Sequence, residues 1–93
     1  MKASKVQTLR HTARIAAALS DPNRLRIFQL IVKQKICVCR IIPAVNLPQN
    51  LVSHHLGVLR RSGLVKFRRD GTHRSYILHR PTLKRYLQYF QHA

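Results

Sequence analysis

Read for chemistry, the 93-residue chain offers a pair of soft-ion ligands and two clusters suited to hydrogen-bonding a polyanion. Cys37 and Cys39 are separated only by Val38. Residues two apart on an extended chain project to the same side, so both thiolates can meet one soft ion; on a helix they diverge. Ile36 and Val38 are β-branched, and Pro43 restricts the backbone beyond them, which favours the extended form. Lys35 and Arg40 flank the pair. Their charge lowers a thiol pKa but repels a cationic metal, so an uncharged soft species is less hindered. Ion binding, thiol redox chemistry and an inert pair of small packed residues all remain open on these residues alone.

The second cluster is Gln49, Asn50, Ser53, His54 and His55, followed one to two helical turns later by Arg60. Gln and Asn amides pair in bidentate fashion with adenine, a contact contributing about 1–3 kcal/mol of base discrimination. Ser53 and His54 lie one turn on, within reach of a base or a phosphate, and His55 points partly toward the domain. No acid and no oxyanion donor accompanies the Ser-His-His run, so nucleophilic catalysis is not expected. The third cluster, Arg68, Arg69, Thr72, His73 and Arg74, surrounds Asp70-Gly71, a hairpin signal. A charged hairpin tip of this kind lies along a phosphate backbone or enters the minor groove. His79 and His92 lack the carboxylates and spacing of a zinc site.

The elements that must position these residues are set by periodicity. Leu9, Ala13, Ala16 and Ala17, with Ile15 and Leu19 alongside, predict a first helix after a polar stretch at residues 1–7. Asp21-Pro22 starts a second, running to about Lys33 and burying Leu25, Phe28, Ile31 and Val32. A short third helix is expected over residues 39–45. After the Asn46-Leu47-Pro48 turn, a fourth spans about residues 48–62, with Leu51, Val52, Leu56 and Leu59 inward and Gly63 closing it. Strands at 64–69 and 74–78 form a hairpin with a four-residue loop. A last helix begins at Pro81 and carries Leu83, Tyr86, Leu87 and Phe90 as an apolar stripe with no obvious intrachain partner. The fold class expected is mainly α with a small β-hairpin, a single winged helix-turn-helix unit over residues 1–93.

Charge narrows the partner. Eighteen Lys and Arg stand against two acids, a formal net charge of +16. Such a balance calls for a polyanion, and double-stranded DNA suits a compact basic domain because each neutralised phosphate releases counterions. Asp21 and Asp70 sit where a helix start and a turn want an acid, and there is no glutamate at all. The rest of the surface reads as one whose acids were exchanged for bases by design. No apolar run reaches the ~18–20 residues of a membrane span and no signal-peptide core is present, so a cytoplasmic location without membrane contact is expected.

The run from Ala18 to Ile27, Cys37-Val38-Cys39, the segment Ser53-His54-His55-Leu56, Leu59, Gly63-Leu64-Val65 and Arg69-Asp70-Gly71 together resemble the ArsR/SmtB family of winged-helix repressors. The resemblance covers about residues 10–80. It implies a homodimer built on the first and last helices, an inverted-repeat operator, and release of that operator when an inducer binds. Leu9, Ala13, Ala16, Leu83, Tyr86, Leu87 and Phe90 are thereby assigned to the dimer interface. Cys37 and Cys39 resemble the family's thiolate sensors, which implies arsenite, antimonite or a soft divalent metal as inducer and no required cofactor. Position 42 is Ile42 where some such sensors add a third thiolate, which leaves at most two sulfur ligands per subunit. A rival reading is a highly cationic scaffold that binds nucleic acid without sequence preference.

Overall fold

The computed structural model of the protein describes residues 5–92. The chain runs α1 (Lys5–Ala18), α2 (Pro22–Lys33), β1 (Ile36–Cys37), α3 (Val38–Val45), α4 (Gln49–Arg61), β2 (Val65–Asp70), β3 (His73–Leu78) and α5 (Arg80–Gln91). Winged helix-turn-helix architecture is thus present as expected, with α3 and α4 as the paired helices and β2–β3 as the wing. Residues 5–7 are already helical, and residues 1–4 of the stretch expected to precede α1 lie outside the described residues.

Local chemistry accounts for the boundaries. Asp21 caps α2, its Oδ1 accepting from the Arg24 backbone N–H at 3.0 Å, and Pro22 occupies the first turn, where a missing donor costs nothing. The Arg24 N–H is the main reason the Asp21 carboxyl titrates below the ordinary range. Asn46 ends α3 in the left-handed region at φ 54°, a conformation Asn tolerates better than most residues, and so turns the chain into α4. Gly63, at φ 88°, makes the corresponding exit from α4.

Two expectations about the sheet are corrected. It has three strands in the order β1-β3-β2, because Ile36 and Cys37 pair antiparallel with Tyr76 and Ser75. The wing loop is also tighter than four residues. Asp70 pairs with His73, leaving Gly71 and Thr72 as the turn. Gly71 at φ 60° in the first central position suits the type II′ turn, whose twist matches the strands it joins.

The core gathers Ile15 from α1, Ile27, Phe28 and Ile31 from α2, Ile41 and Val45 from α3, Val52, Leu56 and Leu59 from α4, and Leu64, Val65 and Tyr76 from the sheet side. Leu25, expected inside, is 39% exposed, and Ile27 is fully buried in its stead. At about 100° per residue the inward stripe centres on Ile27, Phe28 and Ile31, which puts Leu25 beyond its edge. Pro43 sits inside the short α3, within the span expected of that helix.

Candidate nucleic-acid interface and thiol cluster

The outward face of α4 and the inner face of the wing enclose a groove of about 640 Å³. Gln49, Ser53, Gly57 and Arg60 line it from the helix, and Arg69 and Arg74 from the two strands, over a floor that includes Phe67 and Tyr76. Phe67 and Tyr76 meet edge to face at 5.7 Å between ring centres, fixing the strands beneath the arginines. Asn50 and His54 are exposed on the same helix. No side chain caps the first turn of α4 among the described residues, and its positive dipole end carries Gln49 and Asn50, both exposed.

The charge arrangement within the groove is uneconomical for an isolated domain. Arg69 and Arg74 are directly opposed across the hairpin, and like charges in that position destabilise a sheet. Neither of the two acids neutralises them. Asp21 caps α2, and Asp70 is held by Lys35 at 2.6 Å, an ion pair that lowers the Asp70 pKa. Arg68, Thr72 and His73 are exposed toward the wing tip.

His55 is the correction in this region. It is 4% exposed and cannot contact a duplex. Its position three residues after Val52 and four before Leu59 places it on the buried stripe of α4, a spacing already legible in the sequence. Arg24 Nη1 lies 3.2 Å from His55 Nδ1. A guanidinium only donates, so Nδ1 accepts and the ring proton sits on Nε2, facing Asp21 Oδ1 at 3.9 Å. The ring thereby ties α4 to the start of α2. Burial pushes the His55 pKa down, with Asp21 opposing. A histidine whose folded pKa is depressed contributes its full stability above its unfolded pKa of about 6.5 and loses it as pH falls through that value. The midpoint of thermal unfolding is therefore expected to drop between about pH 7 and pH 5, and His55→Leu to flatten that slope. Equal slopes in circular-dichroism melts of the two proteins would refute the assignment.

Cys37 and Cys39 converge, though by a route the extended-strand argument did not anticipate. Cys37 is the N-cap of α3 and Cys39 lies in its first turn, with the Cys39 backbone N–H donating to Cys37 Sγ at 3.3 Å. His73, expected to serve only the DNA surface, reaches the same place, its Nδ1 at 3.9 Å from Cys37 Sγ. The three ligand atoms lie within 4.8 Å of one another. Cys37 is pulled down to about 7, first by the Cys39 thiol, which donates to it, then by the Cys39 backbone N–H, with His73 adding less. Cys39 moves up because its S–H is engaged as that donor. The pair should therefore lose protons in two separated steps. In brief iodoacetamide pulses read by peptide mass spectrometry, Cys37 labelling is expected to inflect near pH 7 and there to outpace Cys39 by at least about threefold. Coincident pH profiles for the two cysteines would overturn the pairing.

The exposed apolar residues lie elsewhere. Leu9 on α1 and Leu87 and Phe90 on α5 are each more than half exposed, and Ala13 and Ala16 are exposed on the same α1 helix. Leu83 and Tyr86 are partly buried against the chain's own core. His79 Nδ1 lies 2.7 Å from Thr82 Oγ1 at the start of α5. No helix among the described residues is long and apolar enough to cross a membrane.

Comparison with known proteins agrees with this geometry. Residues 21–66 match the model of the family described as bacterial regulatory protein, arsR family. An uncharacterized HTH-type transcriptional regulator of Methanocaldococcus jannaschii is 42% identical over 71% of this chain and 75% of its own length. An arsenic resistance transcriptional regulator of Pseudomonas putida is 39% identical over 66% of this chain and 48% of its own length. The chain likewise spans about half the length of several other curated relatives. Among solved structures, a homodimeric winged helix-turn-helix DNA-binding domain of Mycobacterium bovis, described as a possible ArsR-family transcriptional regulator, superposes with a TM-score of 0.80 at 27% identity, covering 95% of this chain and 82% of that one.

Proposed function

The chain belongs to the arsR family of bacterial regulatory proteins, DNA-binding regulators and not enzymes, and from that premise we propose that it is a homodimeric repressor of a specific operator, released by a thiophilic inducer at Cys37 and Cys39. The observation that carries the DNA reading is the opposed pair Arg69 and Arg74, which shares one groove with Arg60, Gln49 and Ser53. Three cations without an acid repel one another, by about 1 kcal/mol per pair at roughly 4 Å in water, and an anion laid between them turns that repulsion into attraction. A duplex supplies phosphates for the wing while α4 enters the major groove. Gln49 and Asn50 then face base edges, and Ser53 and His54 follow one turn on. Arg60, Arg68, Arg69, Thr72, His73 and Arg74 bind the backbone, which positions the helix without reading sequence.

Selection from random duplexes tests this reading. The expected product is an inverted repeat whose half-sites are centred about 10–10.5 base pairs apart, or a multiple of that. Asn50→Ala should relax one base position by about 1–3 kcal/mol, whereas Arg74→Ala should weaken all duplexes alike. Absence of any enriched sequence would defeat the proposal.

The inducer reading rests on two converged thiols, one of them titrating near neutrality. Arsenite, antimonite or a soft divalent metal would be held by Cys37 and Cys39 and would supply the bond energy that favours one wing arrangement over another. Pseudomonas putida's relative is named for arsenic resistance, which supports the same class. Titrating reduced protein on its selected duplex with arsenite and with cadmium should release DNA; retention under both, with both thiols confirmed free, rejects sensing.

A further inference from the structure

We propose that His73 of the wing is the third ligand of a Cys37–Cys39–His73 site for a borderline divalent cation of the zinc and cadmium type. The sequence separates His73 from the cysteines by most of α3, all of α4 and the first strand of the wing, yet strand pairing returns it. Cys37 pairs with Ser75 in the β1–β3 ladder, so the start of β3 lies beside the start of α3. From there His73 Nδ1 stands 3.9 Å from Cys37 Sγ. All three donor atoms fall within 4.8 Å of one another. Around a tetrahedral zinc ion, metal–ligand bonds of about 2.0–2.3 Å place neighbouring donors roughly 3.6–3.8 Å apart, so closing the site asks for movements of an ångström or less. Two of the donors are exposed and the third is half-buried, which leaves them free to make that adjustment and leaves the ion a route in.

The donor set selects the ion. Two thiolates and one imidazole suit zinc and cadmium, with one position open to water, and of the two flanking cations that would repel such an ion Lys35 is already paired with Asp70 at 2.6 Å. Arsenite favours three soft thiolates, and this chain holds two cysteines. The site therefore narrows the inducer class, resting on the sensing reading above while specifying a ligand that reading lacks. It also supplies a connection to DNA. His73 opens β3 and pairs with Asp70, and Asp70 is already held by Lys35 at 2.6 Å. A metal bond at His73 adds a second tether between the wing tip and the segment leading into α3. The wing that carries Arg69 and Arg74 is then held against its own domain and less able to follow a phosphate backbone.

Cadmium titration of the reduced, oxygen-free protein tests the ligand set, read by thiolate-to-cadmium absorbance in the ultraviolet. Wild-type protein should bind one ion per chain. His73→Ala should weaken binding by at least about 10-fold, and Cys37→Ser should weaken it further. His73→Cys should restore cadmium affinity with the absorbance of three thiolates and should bind arsenite more tightly than wild type. A purely structural histidine would leave the cadmium affinity of His73→Ala unchanged. Equal cadmium affinity of wild type and His73→Ala, with loss in Cys37→Ser, overturns the proposal and leaves the two-thiol reading standing. In parallel, the ratio of duplex affinity between metal-free and cadmium-loaded protein is compared within each variant. Cadmium bound through all three groups with a ratio of one upholds the ligand set and rejects the sensing reading.

Discussion

Replacing Leu9 and Leu87 by aspartate should lower affinity for a two-half-site duplex by about 10²–10⁴, while leaving the fold intact and affinity for a single half-site nearly unchanged. The two leucines are 54% and 53% exposed, one on α1 and one on α5, and neither belongs to the buried core of the chain. In an isolated domain such surface has no partner; in a twofold dimer each substitution is present twice. Covering the exposed half of a leucine contributes roughly 1 kcal/mol, so four such sites account for about 4 kcal/mol, or three powers of ten in the dimer constant, before the cost of burying a carboxylate. Once the monomer predominates, the second half-site no longer benefits from the high effective concentration created by the first. Sedimentation velocity and fluorescence anisotropy on duplexes with one and two half-sites make the comparison. An aspartate variant that keeps the dimer mass, or a wild-type protein that is monomeric at assay concentration, would remove α1 and α5 as the interface. Leu83 and Tyr86 are less informative targets, because their partial burial against the core makes loss of folding stability a competing explanation.

Salt is expected to move DNA affinity by a comparable or larger factor. With 18 basic residues and two acids, the chain has cations enough to engage 6–10 phosphates, and that number of contacts costs about 10³–10⁵ in affinity between roughly 50 and 200 mM monovalent salt. The slope alone does not distinguish a regulator from a cationic scaffold, since both use phosphates. The residual difference does. At the higher salt a selected duplex should remain at least about 10³-fold tighter than a scrambled one, because base contacts from Gln49 and Asn50 are not screened as the phosphate contacts are. Equal affinities under that condition would favour the non-specific scaffold and sink the operator reading. Arg69→Ala and Arg74→Ala should each reduce the salt slope by about one, and removing one of the opposed charges should slightly raise thermal stability.

The order of helices and strands was readable in the chain because its signals are local. Asp21-Pro22 opens α2, Asn46 and Gly63 supply backbone conformations that few residues adopt, and the 3.6-residue stripe of α4 separates Gln49, Asn50, Ser53 and His54 from Val52, Leu56 and Leu59. Such features depend on neighbours within one or two turns, so a sequence specifies them directly. Contacts between residues far apart in the chain were not readable in this way. Arg24 meets His55 across 31 positions, Lys35 meets Asp70 across 35, and Cys37 meets His73 across 36. His55 was partly legible, since its spacing puts it on the inward stripe, but the guanidinium that satisfies it came from another helix. The two-residue pairing of β1 with β3 was not legible at all, because so short a strand has no periodicity of its own and forms only where an existing edge offers hydrogen bonds. The amino-acid order thus determined a basic winged helix whose fourth helix turns Gln49, Asn50, Ser53 and His54 outward, an apolar face and a close pair of thiols. Tertiary structure alone decided that the wing's histidine joins those thiols, since that meeting depends on strand register and not on the spacing of residues along the chain.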